Sequence, residues 1–507
     1  MQGKKHFQEK LFVSFQLSNA VPADNIYRRL KDLIDFSFMY KSTAEYYGGE
    51  GQKSIDPVVF MKLMLVGYLE NLNSDRRIIS ISKMRMDILF FLGYDLDEEL
   101  PWHSTLSHTR QLYGQEVFSE IFKLVLKQCI DNGMVSGRRQ AVDGVYVKAN
   151  ASLDSMIERE ILDDAVAFGE ELDANQQEDV AKVIAIDKLK HKDYNDLPLK
   201  KNPGNKTHYS PSDPDAKMSV KPGKATALNF LSQVCVDTAS HMITHIEAFS
   251  ADKRDCQCLE EVVQKVKHTL SSHGIMLEEV IADAGYSSGE ALRALEKNKI
   301  QGYIPNRGQY IHERPDFPYS ADGDFYTCPN NKKLTYRGSQ KDGNYINKHY
   351  RTSIKNCHSC PFRNNCSALK TQGPLIKQTE DSPYYERMHY RMLTKKAKIL
   401  MKKRQSTVEP VIGSLVNNNG MKRINTKGLV QANKCMTMAA VAYNLKKLLR
   451  FTIRKVQVNV MAKANLERIV KNSFKTTCLN VSSVIVAVKN HFHFSQSIRE
   501  LLIHTAN

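Results

Sequence analysis

Three stretches of the sequence decide the fold that we predict: AVDGVYVKANAS (141–152), EEVIADAGYSSGE (278–290) and RQSTVEPVIGSL (404–415). The first is an apolar, β-branched run that contains Asp143, and in the second an apolar run leads directly to Asp283. A carboxylate inside a buried strand is costly unless another charge compensates it. Two Mg²⁺ or Mn²⁺ ions require a cluster of such hard oxygen ligands. Together with Glu409 in the third stretch, the acids predict a two-metal site for phosphoryl transfer.

Glu409 stands in a different local pattern from the two aspartates. Residues 406–409, Ser-Thr-Val-Glu, fit a capping box, and Pro410 is best tolerated in a first helical turn. We therefore predict that Glu409 opens a helix. Each acid also has a structural alternative: a salt-bridged strand residue for Asp143, a turn former for Asp283, and the capping box alone for Glu409.

Further motifs occur in a specific order along the chain. They are LPWHSTLSHTRQLYGQEVF (100–118), VDGVYVKANASLDSM (142–156), SPSDPDAKMSVKPGK (210–224), IADAGYSSGE (281–290), TVEPVIGSL (407–415) and AAVAYNLKKLLRF (439–451). In this order the chain resembles the DDE transposases of bacterial insertion sequences, in the branch that carries a cysteine cluster between the second Asp and the Glu. The resemblance extends over roughly residues 15–455 and leaves the C-terminal tail outside it.

The resemblance implies a fold class and a reaction. The fold is an α/β catalytic core of ribonuclease H-like type, with an all-α N-terminal domain and a small cysteine-rich, zinc-ribbon-like insertion. Asp143, Asp283 and Glu409 would bind the Mg²⁺ or Mn²⁺ ions, and water, then a freed 3′-hydroxyl, would attack DNA phosphates. Many relatives place Tyr and Arg before the Glu and Lys after it. This chain has Lys402, Gln405 and Val416 at those positions, and Arg404 lies one residue away from the expected place of the Arg. The resemblance therefore does not extend to excision through a hairpin intermediate.

The charge distribution indicates a polyanionic partner. Lys and Arg number 72 against 55 Asp and Glu, and residues 386–455 contain 17 basic residues and only two acids. Such a surface favours binding to DNA. The resemblance implies that this partner is double-stranded DNA, both the terminal inverted repeats of the element and the target. The alternative is a solvated, lysine-rich helix face. The candidate DNA contacts in this segment are Lys395, Lys396, Lys398, Lys402, Lys403, Arg404, Lys422 and Arg423.

The N-terminal part contains a second group of candidate DNA contacts. Ser104 and Thr105 are suited to starting a recognition helix before Leu106. A helical bundle that binds the ends of the element is the functional interpretation, and a packing or dimerisation domain is the alternative. The candidates are Arg76, Arg77, His103 and Arg110.

Four of the ten cysteines have a spacing typical of a metal site. Cys357 and Cys360 form a C-x₂-C pair, Cys366 follows closely, and Cys328 precedes them in a turn. Four thiolates at such spacing suit a tetrahedral structural Zn²⁺. The alternatives are unliganded thiols or the replacement of one cysteine ligand by His358.

The organisation that we predict follows from these segments and from local periodicity. Apolar residues at helical spacing predict helices at 26–38, 57–69, 78–92 and 118–130, and the core elements are strands at 142–149, 227–237, 241–248, 277–282 and 302–305 with a helix at 256–273. The predicted domains are 1–135, helical and DNA-binding; 136–320, the first part of the core, with an acidic helical insertion at 151–205; 321–372, cysteine-rich; 373–455, basic helices that complete the core; and 456–507, an unassigned tail.

Several classes of protein are disfavoured by the sequence. No run of about 18 apolar residues is present, and the N-terminus lacks the apolar region of a secretory signal. We therefore expect a cytoplasmic protein without a membrane partner, which forms a homo-oligomer on DNA. The alternative to an active transposase is a catalytically silent DNA-binding protein derived from one.

Overall fold

The structure is a computed structural model of the 507-residue chain. It describes residues 14–48, 54–159, 204–220, 225–307, 314–342, 345–371 and 373–476, together with residues 2, 4 and 5. The predicted acidic helical insertion falls mostly on residues 160–203, which lie outside the described residues, as does the tail from residue 477 onward.

Helices occupy most of the described chain from residue 17 to residue 131. They are α1 (Leu17–Ala20), α2 (Ile26–Leu33), α3 (Phe38–Ser42), α4 (Pro57–Leu69), α5 (Asp75–Met84), α6 (Met86–Leu92), α7 (His103–Leu112) and α8 (Gln115–Asp131). The run predicted as one helix at 78–92 is divided between α5 and α6, because Arg85 has an extended backbone conformation with φ −121°. These helices lie where the sequence predicts a helical N-terminal part.

Helix α4 illustrates how the sequence specifies this bundle. The Asp56 side chain accepts hydrogen bonds from the backbone N–H groups of Val58 and Val59 at 2.7 and 3.1 Å, and Pro57 occupies the first helical position. Both features are favourable at a helix start. The helix is apolar on nearly all sides and most of its side chains are buried, so it forms the centre of the bundle.

A mixed sheet lies at the centre of the chain. Its strands are β1 (Arg139–Lys148), β4 (Lys217–Ser219), β5 (Ala227–Asp237), β6 (Ile243–Ser250), β7 (Glu279–Ile281) and β8 (Gln301–Tyr303). The order is β6-β5-β1-β7-β8, and β4 pairs with the start of β5. Strands β5 and β6 run antiparallel to their neighbours, whereas β1, β7 and β8 are parallel. A separate two-stranded pair is formed by β2 (Ile157–Glu158) and β3 (His208–Tyr209).

Five further helices accompany the two sheets. They are α9 (Asp255–Ser271), α10 (Gly289–Lys297), α11 (Ser382–Leu393), α12 (Lys395–Asn418) and α13 (Leu429–Thr476) among the described residues. The prediction that Glu409 opens a helix is wrong, because Glu409 lies in the middle of α12 and Pro410 is inside that helix. Part of the unassigned tail, up to residue 476, continues α13.

Helix α13 covers the edge of the central sheet. Asn444 accepts a hydrogen bond from the Ile243 backbone N–H at 3.0 Å and donates one to the Ile243 carbonyl at 2.8 Å. Asn433 accepts from the Ala248 backbone N–H at 2.7 Å. These side chains pair backbone groups of β6 that an edge strand would otherwise expose.

The N-terminal helices are joined to α13 by buried charged groups. The ammonium of Lys434 donates to the carbonyls of Arg110 and Tyr113, at 2.9 and 2.6 Å, at the C-terminal end of α7. A cation is favourable at that end of a helix. Arg110 itself is 3% exposed and forms an ion pair with Asp75 of α5. The bundle and the sheet therefore share one continuous hydrophobic core.

The cysteine-rich segment forms a second, smaller sheet. Its strands are β9 (Tyr319–Ser320), β10 (Phe325–Thr327), β11 (Lys333–Asp342), β12 (Tyr345–Arg351), β13 (Leu369–Lys370) and β14 (Gly373–Thr379), in the order β13-β14-β12-β11-β10-β9. A small core that includes Tyr326, Leu334 and Tyr350 packs within it. In the described part of the chain, no helix is long and apolar enough to cross a membrane.

Candidate active site

The central sheet brings Asp143 and Asp283 to one place. Asp143 lies within β1, and Asp283 follows the end of the neighbouring parallel strand β7 by two residues. The register pairs Ala141 with Ile281, so the two aspartates lie two residues further along their respective strands. Asp283 also caps the turn that follows, because its Oδ1 accepts from the Gly285 backbone N–H at 2.7 Å.

A buried arginine neutralises this pair of carboxylates. The Arg404 guanidinium lies 2.9 Å from Asp143 Oδ2 and 3.7 Å from Asp283 Oδ2. Its side chain is 7% exposed, against 18% for Asp143 and 45% for Asp283. The site is therefore open to solvent on the Asp283 side and closed by α12 on the other.

Two polar atoms at this face of α12 have no protein partner. Arg404 Nε and Thr407 Oγ1 are buried and make no hydrogen bond to any described residue. Buried polar atoms normally make hydrogen bonds, so these two atoms are suited to contact a group that binds at the site.

Glu409 lies on another face of α12 from Arg404. At about 100° per residue, a position five residues further along an α-helix is rotated by roughly 140°. The side chain of Glu409 is accordingly exposed, whereas Arg404 and Val408 are buried. Among the described residues, no group of three or more His, Cys, Asp or Glu side chains is arranged to hold a metal ion. The structure thus brings two of the three predicted acids together and leaves the third apart.

The basic residues predicted to contact DNA divide into two groups. Lys395, Lys398 and Lys402 are exposed at a spacing of three and four residues, and they form a stripe that Glu409 continues. Exposed Lys422 and Arg423 lie beyond the end of α12, where Arg423 donates to Asn150 Oδ1 at 3.0 Å.

Lys396, Lys403 and Arg404 stand apart from this stripe. Lys396 is exposed but forms an ion pair with buried Glu279, and Lys403 is half-buried. Burial alone would raise the pKa of Glu279, but hydrogen bonds from Lys396 and Arg139 hold that pKa below its usual value. Arg404 is buried on the carboxylates, so its assignment to a DNA-facing surface is corrected.

The N-terminal candidates also differ in exposure. Arg76 and Arg77 are exposed on α5, and His103 begins α7 beside the exposed ring of Trp102, with 5.1 Å between ring centroids. The prediction that Arg110 contacts DNA is not supported. Its guanidinium is buried against Asp75, with one N–H···O distance of 3.1 Å, and does not reach the surface.

The four predicted zinc ligands lie in connections between strands of the small sheet, Cys328 between β10 and β11 and the other three between β12 and β13. Burial and the neighbouring thiols of Cys360, Cys366 and Cys328 raise the pKa of Cys357. The Lys332 backbone N–H donates to Cys328 Sγ at 3.3 Å, and all four cysteines are unpaired thiols. The thiols are close enough to influence one another, although they do not have the arrangement of a metal-ligand group.

The role of Arg404 was missed by the sequence analysis, although a signal was present. Positions 397, 400, 404, 408, 411 and 415 follow helical spacing, and all except 404 are apolar. A charged residue within an apolar helical stripe requires a buried partner. Asp143 and Asp283 are those partners.

Comparisons with known proteins find two transposase domains in the chain. A transposase-domain family matches residues 15–112, and the transposase DDE domain family matches residues 327–449. The second match includes Glu409 and the four cysteines, whereas Asp143 and Asp283 lie between the two matched segments. The search of curated proteins gives no match.

Solved transposase structures are only distantly similar. The match to the synaptic complex of the piggyBac transposase with hairpin DNA has 10% sequence identity and a TM-score of 0.25. It covers 87% of this chain and 86% of the piggyBac chain. The match to the Mos1 transposase paired-end complex with the left transposon end has 9% sequence identity and a TM-score of 0.15. It covers 50% of this chain and 60% of the Mos1 chain. TM-scores this low support no statement about the present chain.

The two family matches identify the class of the protein. The chain is a DDE transposase, and its function is that of a DNA transposase. The alternative of a silent DNA-binding descendant is not favoured by these matches.

Replacing Arg404 with methionine should expose the repulsion between Asp143 and Asp283. Removal of one partner from a buried ion pair costs about 3–5 kcal/mol, and the exposure of Asp283 places the expected loss near the lower end, about 3 kcal/mol. Added Mg²⁺ should restore part of this stability, so the rise in melting temperature with Mg²⁺ should be larger for Arg404→Met than for the wild type.

The neighbouring variant Gln405→Met is a matched control, because Gln405 is exposed on the same helix. It should melt like the wild type with and without Mg²⁺. An Arg404→Met protein with wild-type stability and no additional response to Mg²⁺ would contradict the neutralising role of Arg404.

Proposed function

We propose that this transposase cleaves and joins DNA strands by metal-dependent phosphoryl transfer at Asp143 and Asp283, with Glu409 as the third carboxylate. The observation that carries the proposal is the shared guanidinium between the two aspartates. Two carboxylates that converge on one positive charge form a site that a divalent cation also fits.

The proposed fold of the core is ribonuclease H-like. The support is the strand order β6-β5-β1-β7-β8, with two antiparallel strands on one side of β1 and two parallel strands on the other. The first aspartate lies on the central strand of this order and the second follows the adjacent parallel strand. This placement is the one that the resemblance to DDE transposases implies.

The donor atoms suit Mg²⁺ or Mn²⁺. Asp143 and Asp283 provide hard oxygen ligands, which these ions prefer, and the buried Oγ1 of Thr407 makes no hydrogen bond to any described residue. When bound, a pair of such ions activates the attacking oxygen and stabilises the leaving one.

Glu409 requires a change in α12 to reach the aspartates. Pro410, the next residue, has no backbone N–H, so the carbonyl of Ser406 loses its helical hydrogen bond. Proline inside a helix is a usual position for a kink. We propose that α12 bends or rotates at this position when DNA and metal bind, which brings Glu409 towards Asp143 and Asp283.

Substitution of the three acids tests the reaction. Asp143→Asn, Asp283→Asn and Glu409→Gln should each reduce cleavage of a plasmid that carries the terminal repeats flanking this gene, by at least about 10²-fold. Binding to the same DNA should remain within about twofold, because lysines and arginines provide most of the affinity. Cleavage is measured on gels and binding by fluorescence anisotropy.

Glu386→Gln is the matched control, since Glu386 is an exposed acid on α11 outside the proposed site. It should cleave like the wild type. Near-normal cleavage by Asp143→Asn or Asp283→Asn would rule out this site, whereas near-normal cleavage by Glu409→Gln alone would remove only the third carboxylate from the proposal.

The stripe of Lys395, Lys398 and Lys402 is the proposed path of the DNA towards Glu409. Each phosphate contact releases counterions, so replacing these lysines with alanine should reduce the slope of log K against log salt by about 0.9 per charge. The loss of affinity should be similar for any duplex, because phosphate contacts carry no sequence information. Binding titrations at several salt concentrations measure both quantities.

Alanine at Lys123 and Lys297, which are exposed on α8 and α10, serves as the control for charge alone. These variants should keep the wild-type slope. A triple stripe variant with unchanged affinity and slope would mean that the lysines form only a solvated face.

In the same assay, Arg76→Ala and Arg77→Ala should lower the preference for an element end over a random duplex.

A structural Zn²⁺ is proposed at Cys328, Cys357, Cys360 and Cys366. Thiolates are the soft donors that zinc prefers, and the thiols of Cys360, Cys366 and Cys328 are near enough to Cys357 to raise its pKa. Protein purified without chelator should contain about one zinc per chain, and Cys360→Ser should lose it and become more mobile in residues 319–379 by hydrogen exchange. Cys256→Ser, outside the sheet, is the control. Full activity with no zinc by elemental analysis would rule the ion out.

A further inference from the structure

A buried polar network lies behind the two aspartates. The Asp255 Oδ1, on the first residue of α9, accepts a hydrogen bond from Gln233 Nε2 at 2.7 Å. Gln233 Oε1 in turn accepts from the hydroxyl of Tyr286. Gln233 and Tyr286 are both fully buried. Three separate elements are thus connected: helix α9, strand β5 and the turn after β7.

The carboxylate of Asp255 also lies against the backbone next to each aspartate. A β-carbon at Gly144, the residue after Asp143, would lie 2.2 Å from Asp255 Oδ1. A β-carbon at Gly285 would lie 3.4 Å from Asp255 Oδ2. Gly285 is the residue whose N–H binds Asp283. One side chain therefore lies against β1 at Gly144 and against the turn after β7 at Gly285, and a side chain at position 144 would displace the Asp255 carboxylate.

The network is sensitive to the loss of any member. Burial and then the nearby charge of Asp255 raise the pKa of Tyr286 well above its usual value, so its hydroxyl remains a donor. A buried amide such as that of Gln233 needs partners on both its oxygen and its nitrogen. Without Asp255 the nitrogen would lack this acceptor, and the amide would no longer hold Tyr286 in one orientation.

We propose that Asp255, acting through Gln233 and Tyr286, is a positioning residue that holds the Asp283–Tyr286 turn at the spacing from β1 that the Asp143–Asp283 pair requires. The proposal rests on the assignment of these two aspartates to the active site. Residues behind the ligands of a metal commonly orient them, and their replacement typically costs about 10–100-fold in metal affinity or activity.

Two variants test this role without relying on catalysis. Asp255→Ala removes the acceptor, and Tyr286→Phe removes the donor at the other end of the network. Both should speed hydrogen exchange of residues 283–287 in metal-free protein by about tenfold. Both should weaken Mn²⁺ binding by about 10–100-fold, measured from the electron paramagnetic resonance signal of the free ion. Asp255→Asn keeps an acceptor oxygen and should remain within about threefold of the wild type in both measurements.

Thr244→Val is the matched structural control. It removes another buried hydrogen bond of the same sheet, which Thr244 Oγ1 donates to Gln140 Oε1 at 2.6 Å. This bond involves neither Asp143 nor the Asp283–Tyr286 turn. It should lower thermal stability and leave exchange at 283–287 and Mn²⁺ affinity unchanged. The proposal is overturned if Asp255→Ala and Tyr286→Phe resemble Thr244→Val in both measurements, or if Asp255→Asn is as impaired as Asp255→Ala. Asp143→Asn distinguishes a failure of the positioning role from a failure of the proposed active site. Normal Mn²⁺ binding by that variant would refute the active site itself.

Discussion

The repulsion between Asp143 and Asp283 is the constraint on which the site depends. Asp143 on β1 and Asp283 just after the parallel strand β7 carry like charges that repel each other, and a cation between them offsets that repulsion. In this structure Arg404 supplies that cation from α12. The interaction holds α12 against the sheet. It also puts a positive charge at the point where the divalent ions are proposed to bind.

Helix α12 consequently has two faces with different roles. The buried face, which includes Arg404 and Val408, packs on the sheet, and the exposed face presents lysines followed by Glu409. Pro410 lies inside this continuous helix and leaves the carbonyl of Ser406 without its helical hydrogen bond, next to Glu409. Lys434 of α13 donates to carbonyls at the C-terminal end of α7 and so connects the N-terminal bundle to the helix that covers the sheet.

Local patterns were sufficient to predict much of this fold. The bounds of α4 (Pro57–Leu69) and β5 (Ala227–Asp237) match the prediction, because continuous apolar runs flanked by a cap or a turn specify them. The start of a helix at Glu409 was predicted from a local capping pattern, yet the apolar stripe of α12 buries enough surface to continue the helix through Pro410. Arg110 was placed on the surface because its partner, Asp75, is 35 residues away and no spacing rule relates them. The Asp255 network likewise joins residues from distant segments, so only the folded chain reveals it.

The most direct test is the position of Mn²⁺ in crystals of the transposase bound to a duplex that carries an element end. Anomalous scattering from manganese locates the ion independently of the protein. We expect a manganese peak in contact with the carboxylates of Asp143 and Asp283, with the Arg404 guanidinium moved away from Asp143. A peak elsewhere in a complex that is competent for cleavage, or an intact pairing of Arg404 with both aspartates in that complex, would contradict this expectation.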